Sequence, residues 1–270
     1  MEIERLRLSV GRGRRSALDL DVTNTPHDAY ARRTFQRPAL AVEQILFTLG
    51  PRIAASIEPG SLELVPGTFI TEDMRDHETD CLYQARIRGR LALIYVLLEH
   101  MSRPHRWMAL RILGYLSVIW KEFIRQNPEA ERLPMILPIV LHHGERAWPH
   151  STALESLLDL PADLDEVRRL VPHFEFVLDD LATQTDEQLR SRPVSAHLRM
   201  VLMALQSARS ARSLRELFVR LGGLVEELQG SEAGWAALGE LFRYLFHVPG
   251  TRPPTSSAWP RVSAAAARRN

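Results

Sequence analysis

Asp80-Cys81-Leu82-Tyr83-Gln84-Ala85-Arg86-Ile87-Arg88-Gly89-Arg90-Leu91-Ala92-Leu93-Ile94-Tyr95-Val96-Leu97-Leu98-Glu99 is the stretch whose reading decides the fold. Leu91 to Leu98 is a run of eight apolar residues, and the segment from Gln84 to Arg90 reads as the end of one strand and a tight turn into the next. The expectation is a hairpin pairing residues 79–87 with 91–99. An acid at the start of one strand and an acid at the end of its partner then meet at one edge of the sheet. Glu99 follows Asp80 by nineteen positions. Two carboxylates converging there repel each other unless a cation sits between them, and hard divalent ions such as Mg²⁺ take oxygen cages of this kind. An ionised Glu closing an apolar run is costly to bury unless it is paired or metal-bound. The plainer reading of both residues is a pair of strand-end acids facing water.

Working outward, residues 26–49 carry a helical pattern, with Leu40, Ile45, Leu46 and Leu49 at near-helical spacing. Pro38 starts a new turn and Gly50-Pro51 stops it. Residues 61–70 alternate as a strand. After Arg103-Pro104 comes a long helix from Trp107 to Arg125, ended by Asn127-Pro128. Residues 134–141 are apolar enough for a central strand, although Pro134 and Pro138 suit an edge or a bulge better. A further strand is expected at 174–178. Beyond Pro193 the pattern is wholly helical, over 194–209, 213–229 and 232–247. A helix, three strands, a helix and a strand, in that order, argue for an α/β fold with a mixed sheet.

The organisation expected from this pass is a basic arm (1–24), an α/β domain (25–190), a helical extension (191–248) and a disordered Pro/Ser/Ala/Arg tail (249–270). The arm holds Arg5, Arg7, Arg12, Arg14 and Arg15. It is either a phosphate-attracting segment, since each neutralised phosphate releases counterions, or a tail without a role.

At 270 residues the chain can bury a full core, and its formal net charge of +1 makes it no global polycation. Lys121 is the sole lysine among 34 Lys and Arg residues. Arginine forks onto phosphate and stays charged, which suits nucleic-acid contact; a GC-rich genome produces the same bias with no function behind it. The one cysteine, Cys81, excludes an intrachain disulfide and a cysteine-based zinc site, as suits a reducing cytosol. No apolar run reaches membrane-span length. A soluble, cytoplasmic chain that keeps off membranes is the expectation.

Five ordered stretches add a resemblance. They are Pro26-His27-Asp28-Ala29-Tyr30; Leu62 to Ile70, around Val65-Pro66-Gly67-Thr68-Phe69; Glu72 to Tyr83; Tyr95 to Ser102; and Leu137 to Trp148, around His142-His143-Gly144-Glu145-Arg146-Ala147-Trp148. In this order and spacing, over roughly residues 26–190, the chain resembles the recombination-promoting nuclease family (Rpn, YhgA-like), which also carries the name transposase. That family is placed in the PD-(D/E)xK nuclease superfamily. The resemblance implies a restriction-endonuclease-like mixed sheet flanked by helices, and a DNA endonuclease linked to recombination. It implies Mg²⁺ or Mn²⁺ as cofactor, held by Asp80, Glu99 and the backbone carbonyl of His100, and attack in line on phosphorus that leaves a 5′ phosphate. DNA is the implied partner, and a homodimer is left open.

The chain departs from the superfamily two positions after Glu99, where a lysine, or in Rpn-like proteins a glutamine, is usual. Met101 stands there, and its thioether offers no donor to a nucleophile or a phosphate. Lys121 is expected to lie too far along its helix to substitute. Arg111 and Tyr115, four apart on one helix face, resemble the Gln-x-x-x-Tyr pair that some superfamily nucleases place beside the metal; a role at the rim of the core is the other reading. Glu43 is either a supplementary ligand or a solvated helix acid. His142 and His143, as adjacent strand residues, should face opposite sides, with His143 packing or facing DNA. A catalytically degenerate family member, binding DNA or a protein without efficient cleavage, is the alternative function.

Overall fold

A computed structural model of the chain describes residues 26–65, 81–99, 104–161, 163, 165–207 and 214–247. The basic arm, the tail and the second half (66–70) of the expected 61–70 strand lie outside the described residues. Among those described, five strands form one sheet in the order β1-β2-β3-β4-β5. They are β1 (Glu63–Leu64), β2 (Cys81–Ile87), β3 (Arg90–Glu99), β4 (Met135–His142) and β5 (Val177–Asp180). The first three run antiparallel, and β3, β4 and β5 are mutually parallel. The helices are α1 (Pro26–Phe35), α2 (Pro38–Ala54), α3 (Met108–Gln126), α4 (Asp165–Arg168), α5 (Asp186–Arg190), α6 (Ala196–Ser207), α7 (Leu214–Leu228) and α8 (Glu232–His247).

The hairpin forms as the sequence predicts. Cys81 pairs with Val96 and Ile87 with Arg90, which leaves Arg88 and Gly89 as a two-residue turn. Both have positive φ, 50° and 76°. A two-residue turn with this backbone matches the right-handed twist of the strands it joins. Gly50 answers a different need: with φ 76° and ψ 166° it kinks α2, and Pro51 starts one last helical turn rather than ending the element.

Strand β4 is central, with β3 on one side and β5 on the other. Pro138 is tolerated there because pairing to β5 begins only at Ile139, opposite Val177; Pro134 precedes the strand. Side chains alternate across the sheet, so each face has its own core. Ile94, Val96, Ile139 and Leu141 pack with α1, α2 and α6 to α8. Leu93, Tyr95 and Val140 pack with Met108, Ile112, Tyr115 and Ile119 of α3. Each fully buried Leu, Ile or Val contributes about 1.5–3 kcal/mol, and the helices beyond Pro193 share the first of these clusters with the sheet.

The parallel β3–α3–β4 unit fixes which end of α3 lies near which end of the sheet. The indole of Trp120 donates to the carbonyl of Pro134 (2.9 Å), just before β4 begins. Glu99 pairs with His142, the last residue of β4. Those two ends of β4 are roughly 23 Å apart at about 3.3 Å per residue. Lys121, next to Trp120 and exposed, therefore belongs to the end of the sheet remote from Glu99.

Candidate active site at the C-terminal edge of the sheet

Strands β3, β4 and β5 all end at one edge, and β2 begins there. In register, Glu99, His142 and Asp180 form one row across three neighbouring strands. Cys81 opens β2 opposite Val96, three residues before Glu99. The backbone thus brings the start of β2 and the end of β3 to the same edge. Asp80, His100 and Met101 lie outside the described residues, and Glu99 is described by its backbone alone. Among the described residues, no three His, Cys, Asp or Glu side chains gather as a metal-binding group.

Arg111 and Tyr115 are brought together as expected. The guanidinium Nε–H of Arg111 donates to the Tyr115 hydroxyl at 2.7 Å and its carbon lies 5.5 Å from the ring centroid. Tyr115 packs in turn on Tyr95 of β3, with ring centroids 5.4 Å apart. These contacts fix a permanently charged group on the first turns of α3, the end of the helix that follows β3.

The two histidines at the end of β4, His142 in the strand and His143 just after it, separate to opposite faces, and both are fully buried. His142 packs edge-on against Trp148 (5.3 Å) and its Nε2 lies 3.0 Å from the carbonyl of Arg146. A carbonyl only accepts, so Nε2 carries the hydrogen in this contact. His143 sits 6.4 Å from the ring of His27, whose Nδ1 is 2.5 Å from the Tyr244 hydroxyl. The packing reading of His143 is thus the one its burial favours. Glu43 is half-buried, and its carboxylate accepts the Ser195 N–H at 2.6 Å, while Ser195 Oγ accepts from Leu198 N–H at the start of α6.

Sequence reasoning missed two acids at this edge, Asp179 and Asp180. Asp179 is buried and accepts from four donors: both Nη groups of Arg192 (2.8 and 2.7 Å), Gln44 (2.6 Å) and Gln184 (3.0 Å). Arg192 also lies over the ring of Phe47 at 4.4 Å. Asp180 accepts the backbone N–H of Trp148 (2.8 Å) and of Ala182 (3.1 Å), so it ties the loop after β4 to the turn after β5. The signal was present: Val177-Leu178-Asp179-Asp180 is an apolar strand closed by acids, as Leu91 to Glu99 is.

A mixed α/β sheet of this order, with helices on both faces and strands β3 to β5 ending together, is a restriction-endonuclease-like domain. The chain belongs to the family described as "Putative transposase, YhgA-like", whose model matches residues 25–235. It is similar to two Escherichia coli K12 proteins, recombination-promoting nuclease RpnC (27% identical over 207 residues, 76% of this chain and 65% of that protein) and recombination-promoting nuclease RpnA (28% over 184 residues, 68% and 59%). It is comparably similar to the inactive recombination-promoting nuclease-like protein RpnE of the same organism (26% over 184 residues, 68% and 58%). The chain thus spans less than two thirds of the length of each of these relatives. No solved structure matches it. Among the described residues no helix is long and apolar enough to cross a membrane.

Proposed function

We propose that the chain is a metal-dependent DNA endonuclease of the recombination-promoting type, working at the C-terminal edge of its sheet. The observation that carries this reading is the backbone register, which brings the end of β3 at Glu99 and the start of β2 at Cys81 to one edge, beside the ends of β4 and β5. Asp80, Glu99 and the main-chain oxygen of His100 are hard oxygen donors, the set that Mg²⁺ or Mn²⁺ takes. An ion held by these groups would lower the pKa of a bound water and would offset charge on the scissile phosphate.

The chain's own residues do the rest. Arg111, oriented by Tyr115, supplies a fixed positive charge for the phosphate. Asp180 holds the 143–150 loop against the strand ends, and that loop closes the edge over His142 with Trp148. Two observations favour a second reading, binding without efficient cleavage: Met101 offers no donor where a lysine or glutamine is usual, and a relative of comparable similarity is named inactive.

Supercoiled plasmid incubated with the chain in Mg²⁺, in Mn²⁺ and in EDTA decides between them. The endonuclease reading expects nicking with either metal, none in EDTA and none for Asp80→Ala. Plasmid that stays supercoiled in both metals while still shifting on a gel supports the binding-only reading. Nicking at full rate in EDTA refutes the metal mechanism.

A further inference from the structure

Away from the sheet edge, α1 and α8 lie side by side and enclose a groove of about 600 Å³. They run antiparallel: Arg37 at the far end of α1 bonds Glu240, whereas His27 at its start bonds Tyr244. Each helix turns residues at i, i+3, i+4 and i+7 toward the other, so Tyr30 and Arg33 face Glu240, Arg243 and Tyr244. Tyr30 and Tyr244 stack almost parallel, with centroids 4.2 Å apart and an interplanar angle of 6°.

The charges in this groove do not balance. Glu240 is its one acid among the described residues, and Arg37 already neutralises it. The guanidinium groups of Arg33 and Arg243, both exposed residues, have no carboxylate or hydrogen-bond partner among the described residues. Elsewhere arginines between elements are paired: Arg192 with Asp179, Arg199 with Glu227, Arg220 with Asp186. The Tyr30 ring, stacked on Tyr244, helps to line the groove, while its hydroxyl is sealed from solvent.

We propose that the α1–α8 groove is a phosphate-binding site, with Arg33 and Arg243 as the charged clamp. Two planar guanidinium forks on opposite walls suit the tetrahedral oxygens of a phosphate group. That group is supplied either by the backbone of DNA or by a small phosphorylated ligand. The proposal needs only anion chemistry and does not rest on cleavage at the sheet edge.

The test uses the full chain in EDTA, so that metal-dependent chemistry is silent, with two probes: inorganic phosphate followed by ³¹P NMR, and a short labelled DNA duplex followed by anisotropy. The Arg33→Gln/Arg243→Gln double variant is compared with Arg132→Gln, which removes an exposed arginine before β4, and thermal melting confirms that each is folded. The expected result is binding about tenfold weaker in the double variant and unchanged in Arg132→Gln. If duplex is the probe affected, the slope of log affinity on log salt falls by about one for each phosphate no longer neutralised, and the backbone is the source. If inorganic phosphate alone is affected, a small ligand is the source. Unchanged binding of both probes in the double variant overturns the proposal. So does an equal weakening in Arg132→Gln, which would mean diffuse charge rather than a site. A chain that fails to nick plasmid in Mg²⁺ yet binds more weakly as the double variant leaves this proposal standing.

Discussion

Two strands of the sheet end in acids, and the acids have different employment. At the end of β5 Asp179 is saturated by Arg192, Gln44 and Gln184, and Asp180 is committed to two backbone N–H groups. At the end of β3 stands Glu99, in register with His142 and beside the start of β2. An acid closing an apolar strand is thus no site by itself, because the partners around it decide. Where arginine and amides converge, the carboxylate joins sheet to helices; where a second acid is due at the same edge, the proposal gives it to a metal.

The largest effect expected from this contrast is on stability. Asp179→Ala leaves the Arg192 guanidinium buried without its partner, since both side chains are less than 5% exposed, and should lower the unfolding free energy by about 3–5 kcal/mol. Urea denaturation measures it; a drop of less than about 1 kcal/mol would mean that the network is not what anchors β5. Next comes the β3 side. Met101→Gln or Met101→Lys should raise the nicking rate tens- to several-hundredfold, about 2–4 kcal/mol of barrier. Equal initial rates in wild type and both variants, with cleavage still dependent on Asp80, would pass that role to Arg111.

Asp180→Ala should cost about 1–2 kcal/mol, through removal of a cap and of the tie to Trp148, again read by urea denaturation. The smallest effect tests the contrast by burial. Asp186 and Arg220 repeat the Asp179–Arg192 pair at the surface, with the Asp186 side chain 37% exposed. Hydrogen bonding to Arg220 holds the Asp186 carboxyl below its usual range. Its folded pKa lies below the unfolded one, so the contribution is full above about pH 4 and is lost as pH falls through the folded value. Solvent screening limits it to less than about 1 kcal/mol. Arg220→Gln should therefore flatten the acid limb of stability only slightly, and a steep fall at neutral pH would contradict the assignment.

The hairpin, α3, the parallel β4 and the three helices after Pro193 were legible because periodicity, Gly and Pro mark local structure directly. Three readings needed the third dimension. Pro138 pointed to an edge, yet β4 is central, because its pairing to β5 starts one residue later. Glu43 accepts the Ser195 N–H across 152 positions of sequence, a contact no local pattern announces. Asp179 and Arg192 stand thirteen residues apart with a helix between them, and Gln44 reaches Asp179 from 135 positions away. No spacing rule connects such residues. Around the candidate site, the sequence yielded the pairing of Arg111 with Tyr115 on one helix face and the position of Glu99 at the end of its strand.

The measurement closest to the central claim compares nicking and stability in one variant. Glu99→Ala, purified beside wild type, should lose Mg²⁺-dependent nicking of supercoiled plasmid while its urea midpoint stays within error, the reverse of Asp179→Ala. Nicking at the wild-type rate by a folded Glu99→Ala chain would contradict a catalytic role for this edge of the sheet.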